Sequence, residues 1–234
     1  SQVGCRMGCK FCASTKNGLV RNMTVAELIE EVYELERING DINNIVIMGI
    51  GEPLDNYENI RKFIEIITDE KGRNLSHRSI TLSTSGLAPM IVKLADSGLD
   101  INLALSLHYA DDKKRRQFMP VSNKYSIKEL MEATDYYLDN TKRRVSFEYV
   151  VIDGVNNLDE DVDNLVRLLK GKNVHINLIP LNPIEEFSYS KPKNTALKEF
   201  RDKLVSKKLN ATIRRSMGSD IDASCGQLRN NYAR

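Results

Sequence analysis

Five short runs of apolar, largely β-branched residues recur along the chain, at 45–50, 80–85, 101–107, 145–152 and 174–179, and the stretches between them have the period of an amphipathic helix. Each run is almost continuously apolar rather than alternating, the pattern of a strand covered on both faces. The intervening stretches carry start signals. Thr24 with Glu27 three residues on, ahead of Leu28, Ile29, Val32 and Leu35, predicts a capping box; Asn56 ahead of Ile60, Phe63, Ile64 and Ile67 predicts a second capped start. Further helices are expected over 88–96, 127–138, 159–169 and 196–209. Strand and helix in alternation imply parallel strands joined by right-handed crossovers. The units follow one another without a Pro/Gly/Ser-rich linker, so residues 1–234 read as one α/β domain. A closed eight-unit barrel needs about 250 residues. Five or six strands in 234 residues therefore point to an open, partial (β/α)6-type TIM barrel, with a doubly wound sheet as the rival.

Composition bounds the function classes. With 41% hydrophobic and 28% charged residues the chain can bury a core, which excludes a disordered polymer. No stretch reaches the roughly 18 apolar residues of a membrane span, and no basic flank leads into an apolar run at the start; a cytoplasmic protein without membrane contact is expected. Net charge is only +2, but the cations are clustered: Lys113, Lys114, Arg115 and Arg116; Lys142, Arg143 and Arg144; Arg214 and Arg215. Such runs are either solvated helix ends or contacts for a polyanion.

The unusual residues fall where the strands end. Gly49-Ile50-Gly51-Glu52-Pro53 closes the first run, Ser83-Thr84-Ser85-Gly86 the second, Ser106-Leu107-His108 the third and Pro180-Leu181-Asn182-Pro183 the fifth. In parallel α/β folds the carboxyl rim is where ligands bind, so four such ends on one rim predict a small-molecule site. Three of the four cysteines, Cys5, Cys9 and Cys12, lie within eight residues, which argues against disulfides and for a metal or iron–sulfur role. Three soft thiolates suit a cubane cluster with one iron left open. The alternative is a structural zinc closed by Cys225 or by one of His77, His108 and His175.

These residues carry a resemblance. The Cys-x-x-x-Cys-x-x-Cys run with Phe11 before its last cysteine, and the Gly49-to-Pro53 loop, resemble the signatures of the radical S-adenosylmethionine (SAM) superfamily. The ordered set SQVGCRMGCKFCAS, GIGEPLDN, STSG, SLH, IPLNP and GSDIDASCGQL, from Ser1 to about Leu228, is similar to the RlmN/Cfr family of RNA adenine methyltransferases, and most to its C2 branch. The resemblance implies the partial barrel of that superfamily and a [4Fe–4S] cluster on Cys5, Cys9 and Cys12 that chelates SAM. It implies SAM contacts from Gly51, Glu52, Ser83, Ser106, Leu107, His108 and Asn182. Cys225 would be methylated and then hand its carbon to an adenine C2 of 23S rRNA or tRNA, with an electron donor such as flavodoxin or ferredoxin and the chain as a monomer. C8 methylation, or a non-catalytic metal-binding module, are the other readings.

Several residues stay open. Glu52 also suits a helix cap, Ser83 and Ser85 also suit a strand end, and Met7, Met48, Met119 and Met217 read as packing residues. Both glycines beside Glu52 suggest close backbone approach to a ligand. His108 reads as a site residue, His77 and His175 as structural ones. Asp220 and Asp222 either position the Cys225 loop or solvate it. Cys225, between Gly218-Ser219-Asp220 and Gly226, is expected on an exposed loop near the cluster. The resemblance places a resolving cysteine and a proton-accepting glutamate upstream of Ser1. The chain as given is expected to bind cluster and SAM without completing turnover.

Overall fold

The structure is a computed structural model that describes residues 1–215, 218 and 221–228; Met217 and Asp220 lie outside the described residues. Six parallel strands form one sheet: β3 (Ile45–Ile47), β4 (Ile80–Thr84), β5 (Asn102–Ser106), β6 (Val145–Val151), β7 (Val174–Pro180) and β8 (Ala211–Ile213), in the order β3-β4-β5-β6-β7-β8. Neighbours in space are neighbours in sequence throughout. A doubly wound sheet reverses its strand order at a switch point, so this succession is that of a barrel wound one way and left open. β1 (Gln2–Gly4) and β2 (Leu19–Asn22) form a separate antiparallel pair that flanks the cysteine segment.

Seven helices, α1 (Val25–Asn39), α2 (Tyr57–Thr68), α3 (Ala88–Ala95), α4 (Asp112–Phe118), α5 (Ile127–Thr141), α6 (Asp159–Leu169) and α7 (Asn194–Ser206), connect the strands among the described residues. The Thr24 capping box is present: Glu27 N–H donates to Thr24 Oγ1, and Thr24 N–H donates to Glu27 Oε2. Such a cap is worth about 1 kcal/mol. Asn56 does not cap α2. Its Nδ2 donates to the carbonyls of Ser1 and Met23, 2.9 Å each, and so ties β1 to the start of that helix. Sequence periodicity misses three short strands and α4. β1, β2 and β8 hold three or four residues each, too few to show a period of two, and α4 has a single apolar residue, Phe118, and so no stripe, being the basic run itself.

The main core fills the space between sheet and helices, with Leu82, Leu103, Leu105, Phe147 and Ile176 on the strands and Ile60, Ile64, Ile91, Leu130, Tyr137 and Leu165 on the helices. A second apolar cluster gathers Cys9, Phe11, Tyr109, Phe118, Met119, Val121 and Phe187. Tyr109 and Phe118 stack there at 4.9 Å, and Phe11 meets the His108 ring edge-on at 4.9 Å. Aromatic contacts of this kind add roughly 0.5–1.5 kcal/mol each beyond area burial. This cluster fastens the cysteine segment to the loops after β5 and β7. Among the described residues no helix is long and apolar enough to cross a membrane.

Candidate active site

A cavity of about 270 Å³ is lined by residues from the carboxyl ends of β3 to β7, by the cysteine segment and by the loop carrying Cys225. Cys5, Cys9, Cys12, Gly51, Glu52, Ser83, Ser106, His108, Asn182 and Cys225 all face it. Leu107 does not: it is fully buried in the main core, and its carbonyl accepts from Arg115 Nε at 3.1 Å. In the run Ser106-Leu107-His108 the flanking residues turn to the cavity and the apolar middle one turns away.

The loop after β3 is built on Glu52. Its Oε1 accepts from Leu54 N–H (3.1 Å), capping the short turn Pro53–Asn56, and its Oε2 accepts from Ser85 N–H (2.6 Å), tying this loop to the end of β4. Glu52 thus caps this turn and faces the cavity at once. Burial pushes the carboxyl pKa up, and the amide donors of Ser85 and Leu54 pull it back. Each carboxylate oxygen has two acceptor directions, so the pair keeps capacity for a ligand ammonium. Gly51 answers a different need from the one its sequence context suggests. At φ +104°, a methyl there would lie 2.6 Å from Gln2 Cβ and 2.9 Å from its backbone nitrogen. The close approach that the structure shows is to β1. β1 is fixed there by Gln2 N–H to the Ile50 carbonyl (3.2 Å) and by Glu52 N–H to Gln2 Oε1 (2.8 Å).

His108 sits at φ +56° with its Nδ1 accepting from Val150 N–H at 3.0 Å. The neutral ring therefore carries its proton on Nε2. Asn156, fully buried, holds this turn through Nδ2 to the His108 and Val150 carbonyls at 2.8 and 2.7 Å. Burial first, and the Arg115 charge second, lower the His108 pKa to about 3, so the imidazole stays neutral at physiological pH. His77 and His175 lie away from the cavity, at the opposite ends of β4 and β7. Met7, Met48 and Met119 line the cavity rather than only packing beneath it.

Cys225 is brought to the cysteine segment by backbone contacts. Ala13 N–H donates to the Gly226 carbonyl (2.7 Å) and Ser14 Oγ to the Leu228 carbonyl (2.7 Å). A methyl at Gly226, where φ is +84°, would meet the Phe11 carbonyl at 2.8 Å; only glycine lets the two loops lie this close. Asn182 does more than face the cavity: its Nδ2 donates to the Cys225 carbonyl at 3.0 Å and so positions that loop. Desolvation by the surrounding protein pushes the Cys225 thiol up to about 11, although its residue surface is exposed at the cavity, while Arg214 pulls it down.

Sequence reasoning misses Glu148. It is buried, lines the cavity level with Ser106, accepts from Asn177 Nδ2 at 2.8 Å and lies 3.6 Å from Arg214 Nη1. One acidic residue inside an otherwise apolar strand run was the available signal.

The donor set fits an iron–sulfur cluster. All four cysteines are free thiols, and Cys5 and Cys9 are buried; burial pushes Cys5 up to about 11 and Cys9 higher still. Two buried thiols, unpaired and raised by desolvation, become ligands once a cationic centre replaces their protons. Among the described residues, no group of three His, Cys, Asp or Glu side chains stands already placed around a single metal ion. A polynuclear cluster spreads its ligand positions over separate irons.

A rim cavity ringed by three thiols on an open parallel barrel is the site of a radical SAM domain. The family model described as the radical SAM superfamily matches residues 1–169, and the chain belongs to that superfamily, with its [4Fe–4S] cluster and SAM. Within it the chain groups with the RlmN RNA methyltransferases: it is 52% identical over 233 residues to the "probable dual-specificity RNA methyltransferase RlmN" of Lachnoclostridium phytofermentans, covering 99% of this chain and 65% of that protein. The protein of the same description in Lachnospira eligens is 51% identical over 233 residues, covering 99% and 67%. The chain thus spans about two thirds of the length of the curated relatives it matches. A radical SAM methyltransferase from Sphaerobacter thermophilus superposes with a TM-score of 0.93 at 43% identity, over 98% of this chain and 69% of that one. The [FeFe]-hydrogenase maturase HydG, at 17% identity and a TM-score of 0.66, shares the fold.

Proposed function

We propose that this chain is the catalytic core of a radical SAM RNA methyltransferase that places a methyl group on an adenine C2 by way of Cys225. The observation that carries the reading is the seating of the Cys225 loop on the cysteine segment, through the 2.7 Å Ala13–Gly226 and Ser14–Leu228 hydrogen bonds. Adenine C2 is not nucleophilic, so polar attack on a sulfonium methyl does not occur there. When bound, cluster and SAM supply the methyl group and the one-electron chemistry that such a carbon requires.

The chain's own residues do the rest. Cys5, Cys9 and Cys12 hold the cluster. Glu52, Ser83, Ser106 and His108 line the SAM pocket, with Glu52 accepting from the ammonium and the neutral His108 offering its Nε2 proton. Gly51 contributes through the packing of β1, and Asn182 through the Cys225 loop. Cys225, once deprotonated, would accept a methyl displaced from the sulfonium of SAM and then carry the carbon that bonds to C2; Arg214 partly offsets the desolvation that holds the thiol up. The apolar cluster around Phe11, Tyr109 and Phe118 excludes water beside the cysteines. A one-electron donor of the flavodoxin or ferredoxin type serves the monomer. Anaerobic reconstitution with iron and sulfide tests this: a brown protein with sulfur-to-iron charge-transfer absorbance is expected, and a colourless, zinc-loaded one would favour a structural metal module.

The substrate would be 23S rRNA or tRNA, drawn to cations on the cavity side. The structure narrows these. Lys142, Arg143 and Arg144 precede β6 at the amino end of the sheet, away from the cavity, and Arg143 is spent on Asp100 at 2.7 Å. Within the other run Lys114 pairs with Asp161 at 2.7 Å and Arg115 is fully buried, leaving Lys113 and Arg116 exposed. Replacing both by serine is expected to weaken binding alike for different RNA sequences. It should also flatten the slope of log affinity against log salt by roughly 1 to 2. Fluorescence anisotropy at several salt concentrations reads it; an unchanged slope removes these two residues from the interface.

A further inference from the structure

Arg115 lies in a run that the sequence leaves open as a solvated helix end or a polyanion contact, yet it has no accessible surface. Its guanidinium makes four hydrogen bonds, all to neutral acceptors: Nε to the Leu107 carbonyl (3.1 Å), Nη1 to Ser122 Oγ (2.7 Å), and Nη2 to the carbonyls of Ser85 (2.7 Å) and Ser106 (3.3 Å). Among the described residues it forms no ion pair with a carboxylate. A buried cation hydrogen-bonded only to dipoles, with the Asp112 carboxylate acting on it through space, is costly and favours a further anion nearby.

The cysteine segment is what lies nearby. Lys10 N–H donates to the carbonyl of Phe118, at the end of the same helix α4, at 2.9 Å. Cys9 packs in one apolar cluster with Phe118 and Met119. Ser85 and Ser106, whose carbonyls the guanidinium holds, line the same cavity as Cys5, Cys9 and Cys12. Arg115 does not line the cavity, so it is not a contact for a ligand there.

We propose that Arg115 is the built-in counter-charge of the cysteine site, a positioning residue that clamps the ends of β4 and β5 and whose fixed positive charge favours the anionic cluster-bound thiolates and the reduced cluster. This rests on the reading that Cys5, Cys9 and Cys12 hold a [4Fe–4S] cluster. Loading removes the three thiol protons and leaves three anionic ligands, which supply the charge Arg115 otherwise lacks. Reduction then adds one electron from an external one-electron donor and no proton, so the site gains one negative charge. A cation fixed behind the strand ends that wall the cavity, out of water, stabilises that product over its precursor.

The test is potentiometric, read by the electron paramagnetic resonance signal of the reduced cluster, with dithionite and mediator dyes as donor, on the reconstituted chain and three variants. Arg115→Gln removes the charge and should lower the ratio of reduced to oxidised cluster about tenfold at fixed potential, equivalent to about 59 mV for one electron. Arg115→Lys keeps the charge without the fork; it should stay within about threefold of the parent ratio while incorporating less iron. Ser122→Asp sets a carboxylate against Nη1 with the guanidinium intact, and should lower the ratio like Arg115→Gln even if that variant does not fold. Cluster-loaded Ser122→Asp or Arg115→Gln with an unchanged potential overturns the proposal and leaves Arg115 a structural clamp. A parent chain that takes up no iron overturns the cluster reading itself, a distinct result.

Discussion

Replacing Cys9 by serine is expected to abolish the iron–sulfur chromophore and to lower SAM cleavage by roughly 100-fold or more. Loss of a partner one shell out from a metal already costs about 10- to 100-fold, and Cys9 is proposed as one of only three protein ligands. Serine preserves the shape but substitutes a hard, far less acidic oxygen for a soft sulfur, which iron–sulfur chemistry does not accept in its place. Cys9 also packs with Phe118 and Met119, so the fold has to be checked separately; one buried sulfur exchanged for oxygen should cost on the order of 1–2 kcal/mol, within what a domain of this size tolerates. Iron and sulfide content, the visible spectrum and release of 5′-deoxyadenosine under dithionite read the outcome. Full iron content with unimpaired cleavage would end the cluster assignment for this residue.

Replacing Cys225 by alanine should divide the chemistry differently. Iron content and SAM affinity are expected to stay near the parent values, because Cys225 belongs to another loop from the three proposed ligands and the contacts that seat this loop come from the backbone of Gly226 and Leu228. Methyl transfer to the protein should fall at least about 10³-fold, as when the nucleophile of a covalent mechanism is removed. Mass spectrometry of the peptide spanning residue 225, after incubation with SAM labelled in its methyl group, reads the transfer in a single turnover. Methylation persisting at another position, or loss of the cluster in this variant, would take the acceptor role away from Cys225. Asn182→Ala offers a graded comparison: it loosens the loop through the Cys225 carbonyl, and should slow methylation without changing iron content.

The alternation of apolar runs and helical segments predicts five of the six parallel strands to within a few residues, and the 159–169 helix at its bounds, because buried parallel strands and amphipathic helices leave long, strong periodicities. β8 escapes because three residues with an exposed Thr212 carry no period. Most of the residues that line the cavity were legible for a related reason: a polar or glycine-rich end on an apolar strand is conspicuous. Glu148, lying inside its strand instead of at the end, is not, and neither is Asn156, whose buried amide holds the His108 turn.

Sequence by itself determined the crowding of three cysteines in one segment, the succession of strand and helix, and the rim as the candidate site, since all three follow from residue type and local spacing. Only the tertiary structure decided which face of each loop serves the cavity and which charges are free. It turned Leu107 inward, assigned the crowding at Gly51 to β1, joined Cys225 to the cysteine segment across more than 200 residues of chain, and split four consecutive cations into two exposed, one paired and one buried. The reason is that burial and pairing are set by whichever distant element arrives opposite a residue. A string of lysines and arginines reads the same whether the next neighbour in space is water, Asp161 or the carbonyls at two strand ends.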